Sequence, residues 1–150
     1  MANSACVVVT PIHLLPLGNI AKMSHRITAD GWDMVLFKAD RKASYKQLPI
    51  DPDDQDTAII CLKHPDRNRR NGFVARTLIF GSAAAVLRYN VSSRLLVDVA
   101  NRYVGIPLVG YCDYFAAIAR STLGQASLDA FARFCSMMGF HLKDGNSEMG

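Results

Sequence analysis

Two aspartates lie where the ends of predicted strands could bring them together. Asp40 follows the β-type run Asp33–Ala39. Asp113 lies in a tight connection between the apolar runs Leu108–Cys112 and Phe115–Ile118. Converging carboxylates suit Mg²⁺, which prefers oxygen ligands and keeps positions open for water and phosphate. Two such ions can clamp the attacking and leaving oxygens of a phosphoryl transfer. Without a further pattern, a solvated turn aspartate is the simpler interpretation of each residue.

A longer pattern surrounds Asp40. The sequence ADRKASYKQLPI places Tyr45 five positions after Asp40, and Gln47 begins a Gln-Leu-Pro-Ile tail. Taken alone, Tyr45 is most simply a core aromatic. Its fixed offset from Asp40 favours a functional role instead, provided that other segments of the chain complete the pattern.

Three further segments follow in order. RTLIFGSAAAVLRYN carries Phe80-Gly81 and Tyr89, GYCDYF carries Asp113, and FARFCSMMGFHLK comes last. Together with the Asp40 segment, they resemble the palm motifs of reverse transcriptases, the RNA-directed DNA polymerases of retroelements. The resemblance covers the chain from Met34 to its end. Any one segment is weak, but four in the right order are fairly specific.

The resemblance implies a fold and a domain organisation. It implies an α+β fold, in which an antiparallel palm-type sheet has two helices packed on one face. Residues 1–39 would form an N-terminal arm and partial fingers. Residues 40–150 would form the palm, ending before the thumb. The hydrophobic pattern gives the order strand, hairpin, helix, hairpin, helix, strand, which is typical of the same fold class.

The resemblance also implies roles for individual residues. Asp40 and Asp113 would bind the two Mg²⁺ ions, with the backbone carbonyl of Arg41 as a further ligand. Tyr45 would be the steric gate, because a ring beneath the sugar leaves no room for a 2′-hydroxyl. The other nucleotide- and template-binding residues would be Gln47, Phe80 and Gly81. The implied partners are a primer–template and a deoxynucleotide.

The chain departs from the family pattern inside this site. The family hairpin has two adjacent aspartates, whereas Tyr114 follows Asp113 here, and a neutral tyrosine is a poor Mg²⁺ ligand. Asn146 stands where the family tends to have a lysine, and Lys143 could replace it only if the loop shifts. Ile79 replaces a usual proline. The segments that resemble the family also include only a small part of its fingers and none of its thumb. We therefore expect very low or no polymerase activity.

Two other interpretations remain open. The chain could be a nucleic-acid-binding module without catalysis, or an inert retroelement remnant. The loop His64–Gly72 bears on the first of these, because its arginines could contact template phosphates. They could equally be the solvated tip of a hairpin. These arginines are Arg67, Arg69 and Arg70.

Composition adds only weak constraints. The net charge of +4 over 150 residues is compatible with a polyanionic partner but does not require one. The four cysteines are scattered, and Cys61 with His64 forms a lone C-x-x-H, so no zinc site is predicted. No apolar stretch is long enough to cross a bilayer, and the N-terminus lacks a basic region of a signal peptide. We expect a soluble intracellular protein, cytoplasmic or nuclear, without membrane contact.

The element boundaries follow from periodicity and from turn residues. Met1–Lys22 is predicted to form a short strand or an extended arm, and Ile20–Arg26 is compatible with one or two helical turns. Asn71-Gly72 is predicted to close a hairpin. Gly139 is predicted to end the last helix as a C′ glycine. The remaining predicted elements are a buried strand at Thr57–Leu62, a returning strand at Phe73–Ile79, helices at Ser82–Tyr103 and Leu123–Met138, and a last strand at Phe140–Leu142.

Overall fold

The computed structural model describes residues 18–143 of the chain, and these divide into two compact units. Residues 18–42 and 90–143 form one unit, here called the sheet unit. Residues 43–89 form the other, here called the hairpin unit. The first described helix and strand belong to the sheet unit.

The sheet unit is built on three antiparallel strands. They are β1 (Met34–Asp40), β4 (Leu108–Tyr111) and β5 (Tyr114–Arg120), arranged in the order β1-β5-β4. The register pairs Phe37 with Ala117, and both side chains are buried. Successive side chains of a strand point to opposite faces, so this pair marks the face that packs into the core.

Two helices cover that face. They are the second half of α2 (Ala83–Val99) and α3 (Gly124–Met137), and each presents apolar residues at helical spacing. A helix before the sheet, α1 (Gly18–Ala29), lies against β5 and β1. The buried core of the sheet unit consists of Phe37, Ala39, Leu96, Val97, Ala100, Ile106, Leu108, Phe115, Ala117, Leu128, Phe131 and Cys135. The α+β class with antiparallel pairing is therefore confirmed.

Both helix ends in this unit have identifiable causes. After α2 the chain makes a π-helical turn over Ala100–Val104, and Gly105 ends it with φ at 72°. Gly139 takes φ at 79° after α3, and the Phe140 N–H donates to the Cys135 carbonyl at 2.8 Å. This Schellman arrangement confirms the predicted terminal glycine.

The hairpin unit holds a two-stranded sheet of β2 (Ile59–Lys63) and β3 (Arg70–Val74), with 3₁₀ turns over Ser44–Gln47 and Pro52–Thr57. The prediction of a buried strand was wrong, because every residue of β2 is exposed. A run of β-branched residues indicates a strand but does not say what covers it. The prediction for Asn71-Gly72 was also wrong, since these residues lie inside β3, opposite Leu62 and Cys61.

Three further boundaries differ from the sequence prediction. Residues 1–17 lie outside the described residues, but residues 18–22 are helical rather than extended. The β4–β5 turn falls on Cys112 and Asp113, one residue earlier than predicted. Phe140–Leu142 is not a strand, because only Leu142 bridges, to Arg41. Across residues 18–143, no helix has the length and apolar character needed to cross a membrane.

Candidate functional site

The strand register brings the two predicted metal-binding aspartates to one edge of the sheet. Asp40 is the last residue of β1 and lies opposite Tyr114, the first residue of β5. The next residue, Arg41, donates its backbone N–H to the carbonyl of Asp113 at 3.1 Å. Asp113 itself lies in the two-residue turn of the β4–β5 hairpin. Cys112 of that turn takes φ at 52°, a left-handed conformation that is uncommon outside glycine and fits a tight hairpin.

The Asp40 carboxylate is almost completely buried. Its side chain is 8% exposed, and Oδ2 accepts a hydrogen bond from Lys143 Nζ at 2.8 Å. The other oxygen, Oδ1, is buried and has no hydrogen-bond partner among residues 18–143. A buried carboxylate oxygen without a partner is costly, so Oδ1 is the atom of this site best suited to accept a ligand.

Lys143 is held in place through its backbone as well. The Lys143 N–H donates to the Asp40 carbonyl at 2.8 Å, and the Lys42 N–H donates to the His141 carbonyl at 2.9 Å. Together with the bridge between Arg41 and Leu142, these bonds align residues 141–143 antiparallel to residues 40–42. The side chain of Lys143 is itself half exposed.

The acidic groups of the site act together on Lys143. The hydrogen bond to Asp40 raises the pKa of Lys143, and the Asp40 charge raises it further. Tyr114 and Asp113 add smaller effects in the same direction. Burial raises the pKa of the Cys112 thiol, and the charge of Asp113 adds to the rise. Asp40 is thus the main partner of the Lys143 ammonium group.

Arg41 has a role that the sequence did not indicate. It was predicted as a metal ligand through its carbonyl, but its side chain is buried in the sheet unit. The guanidinium Nη1 donates to Ser92 Oγ at 3.2 Å and to Ser93 Oγ at 3.3 Å. Its Cζ lies 4.2 Å from the centre of the Phe140 ring. The side chain thus ties α2 to the loop after α3.

The donor set for a metal ion is small. Among residues 18–143, no three or more His, Cys, Asp or Glu side chains are grouped so that they could hold a metal ion. Asp40 and Asp113 supply two carboxylates, and Tyr114 stands where a third would be in the family pattern. One oxygen of Asp40 is available to a cation, and the other is held by Lys143. Two carboxylates are within the number that Mg²⁺ takes from a protein, but the Lys143 ammonium group already offsets the charge of Asp40.

The hairpin unit contains a separate aromatic cluster. Tyr45 stacks on Tyr89 with ring centres 4.5 Å apart, and it meets Phe80 edge-on at 5.5 Å. Tyr89 is fully buried, whereas Phe80 is 83% exposed. Gly81 takes φ at 94°, a conformation that favours glycine. Gln47 lies half-buried on the same 3₁₀ turn as Tyr45.

The sequence did not assign a site role to Tyr89. The aromatic at the end of RTLIFGSAAAVLRYN was a signal for it, but helical spacing also made it a plain core residue. The structure brings the predicted Tyr45 and Phe80 together and adds Tyr89 as the ring on which Tyr45 rests.

The arginines of the predicted nucleic-acid-binding loop are exposed. The Arg69 carbonyl accepts a hydrogen bond from the His64 N–H at 3.0 Å, which closes the hairpin. The side-chain Nε of Arg69 donates to Asn71 Oδ1 at 3.2 Å. Arg70 begins β3, and Arg67 lies in the loop itself. The loop is therefore a polar hairpin tip with its cations facing solvent.

No protein-family model matches the chain, and neither does any curated protein.

Proposed function

We propose that this chain is a reverse-transcriptase-like palm whose two-metal site is incomplete, so that its RNA-directed DNA polymerase activity is very weak or absent. The observation that carries the proposal is the pairing of β1 with β5. This pairing brings Asp40 and the turn holding Asp113 to the same sheet edge. The order β1-β5-β4 with α2 and α3 on one face supports the palm interpretation.

Asp40 and Asp113 would hold Mg²⁺, with the Arg41 carbonyl as a further ligand. The ion would polarise and neutralise phosphate oxygens during nucleotidyl transfer. The chain's own residues work against this in two ways. Tyr114 supplies no negative charge at neutral pH, and Lys143 already holds one oxygen of Asp40. A loss of several kcal/mol of transition-state stabilisation lowers the rate by a factor of about ten for each 1.4 kcal/mol.

The aromatic cluster of the hairpin unit supports a role in sugar selection. In this role, Tyr45 lies beneath the sugar of the incoming nucleotide and rejects a 2′-hydroxyl by steric clash. Stacking on the buried Tyr89 fixes the plane of the Tyr45 ring. Gln47, Phe80 and Gly81 would line the remainder of the nucleotide and template pocket. The substrate class would be a deoxynucleoside triphosphate with a primer–template.

Primer extension tests the proposal. The purified chain and the variants Y114D and Y114D/N146K are assayed with Mg²⁺ and with Mn²⁺. The same variants carrying D40N serve as controls. Asn146 lies outside the described residues, and its substitution rests on the sequence alone. We expect no extension by the unmodified chain and measurable extension by a variant with the restored aspartate. Extension by the unmodified chain would contradict the claim of weak activity. If the Y114D and Y114D/N146K variants extend primers no better than their D40N controls, the result would contradict the palm proposal.

A second candidate function is nucleic-acid binding without catalysis. It is favoured by the exposed arginines of the β2–β3 tip, Arg67, Arg69 and Arg70. Phosphate contacts by such cations make affinity fall steeply with salt. The test is fluorescence anisotropy with labelled single-stranded DNA and primer–template at several salt concentrations. The triple alanine variant is compared with K22A/R26A/R133A, which loses the same charge in the sheet unit. Equal losses in the two triple variants would remove the tip as a specific site. An absence of binding by the unmodified chain would favour the inert remnant.

A further inference from the structure

We propose that Lys143 is a built-in counter-ion of Asp40 that competes with divalent cations for this carboxylate. In this view, the side chain of Lys143 determines whether the acidic site can take a metal ion. The inference rests on the proposed function in one respect only, namely that Asp40 is the principal metal-binding group.

The contact itself is close and specific. Lys143 Nζ lies 2.8 Å from Asp40 Oδ2, within the range of a charge-assisted hydrogen bond. The carboxylate is nearly buried, whereas the lysine side chain is 51% exposed. The lysine therefore reaches the carboxylate from the solvent side.

The backbone fixes the lysine at this position. The Lys143 N–H donates to the carbonyl of Asp40 itself, and the Leu142–Arg41 bridge lies next to it. The two residues are 103 positions apart in the sequence. Because the backbone is already aligned, forming the ion pair requires only that the lysine side chain be ordered. The ammonium group is thus held close to the carboxylate by its own backbone.

Charge explains why the ammonium and a metal ion exclude each other. Mg²⁺ binds carboxylate oxygens at about 2.0–2.1 Å, so an ion on either oxygen of Asp40 would lie close to the ammonium group that Oδ2 now holds. Like charges at such short range repel strongly in a partly buried site. Asp113 and Tyr114 also act on the ammonium group. The two carboxylates of Asp40 and Asp113 would have to balance the three positive charges of Mg²⁺ and the ammonium group.

A purely structural ion pair would behave differently. If Lys143 only neutralised a buried carboxylate, its removal would lower stability without creating a metal site. If it is a competing counter-ion, its removal creates a divalent-cation site at Asp40. A gain of metal affinity is therefore the readout that separates the two roles.

The experiment measures Mn²⁺ binding to the full chain by electron paramagnetic resonance of the free ion. The variants are K143M, K143Q, K143R and K143M/D40N. K22M is the matched control, because it removes one exposed charge from the sheet unit without contacting Asp40. We expect K143M and K143Q to bind Mn²⁺ roughly tenfold more tightly than the unmodified chain, as removal of a like charge at short range predicts. K143R and K22M should bind like the unmodified chain, and K143M/D40N should lose the gain.

Thermal denaturation establishes which variants are folded. K143Q keeps a side-chain donor toward Asp40, so it replaces K143M if the methionine variant does not fold. Folded K143M or K143Q with no tighter Mn²⁺ binding would overturn the inference. A gain that persists with D40N would also overturn it, because the ion would then lie elsewhere.

The inference and the proposed function can fail separately. Tighter Mn²⁺ binding by K143M, with no primer extension by any variant, supports the counter-ion and contradicts the polymerase. Primer extension by a Y114D variant, with no change in Mn²⁺ affinity on removing Lys143, supports the palm and overturns the counter-ion.

Discussion

The backbone N–H of Arg41 donates to the carbonyl of Asp113 at 3.1 Å, and this bond ties the end of β1 to the turn between β4 and β5. The residue that makes this bond also carries the most deeply buried charged side chain of the site. The geometry of the two aspartates therefore depends on how Arg41 is packed. The stability of the sheet unit and the shape of the site should respond together when Arg41 is changed.

Replacing Arg41 by lysine should destabilise the sheet unit. Lysine lacks the planar guanidinium whose Nη1 donates to both Ser92 and Ser93, and it stacks less well on Phe140. We expect a loss of about 1–3 kcal/mol in the free energy of unfolding, as for other buried groups left without partners. Urea denaturation measures it, with the exposed Arg133→Lys as control. A loss no larger than that of the control would show that the buried guanidinium is not needed.

The ion pair between Lys143 and Asp40 should make stability depend on alkaline pH. The pKa of Lys143 is raised above its ordinary 10.5, first by the hydrogen bond to Asp40. Because the pKa of Lys143 is higher in the folded state, the ion pair contributes its full stabilisation at pH values below the pKa of the unfolded state. It is then lost as the pH rises through the folded pKa. We expect the unfolding free energy of the native chain to fall more steeply above pH 10.5 than that of K143M. Parallel pH profiles from urea denaturation would contradict this.

Gly110 should not tolerate a methyl group. A Cβ at this position would lie 2.9 Å from Val97 Cγ2 and 3.4 Å from the Phe115 ring. Overpacking of this kind typically costs about 1–3 kcal/mol, so G110A should unfold at a lower urea concentration. V97A in the G110A background should recover part of the loss. G18A is the control, because no atom lies within 4 Å of a Cβ there. Full stability of G110A would show that α2 can move away from β4 without cost.

The stacking of Tyr45 on Tyr89 should be measurable as a coupling energy. Aromatic pairs contribute about 0.5–1.5 kcal/mol beyond their burial. A double-mutant cycle with Y45L and Y89L should give a coupling in this range. The matched cycle with Y45L and F80L should give less, because Phe80 is 83% exposed. Equal couplings in the two cycles would argue against Tyr89 as the support of the Tyr45 ring.

Local sequence patterns predicted much of the sheet unit. The strands around Asp40 and Asp113 and the glycine after α3 followed from alternation, helical spacing and turn residues, because these depend on neighbours a few positions away. The same kind of signal was wrong for Asn71-Gly72. These residues favour a turn, but pairing with Leu62 and Cys61 places them inside β3. A local preference is weak compared with a complete strand ladder.

The tertiary structure alone decided which groups surround Asp40. The sequence by itself identified Asp40 and Asp113 from their places at strand ends, and the resemblance of the surrounding motifs added Tyr45 and Phe80. It did not indicate that Lys143 donates to Asp40 across 103 positions, or that the Arg41 guanidinium is buried against two serines. Both contacts join distant segments, and their partners become neighbours only when the helices pack on the sheet. Burial and pairing of charges depend on that packing, which no local pattern encodes.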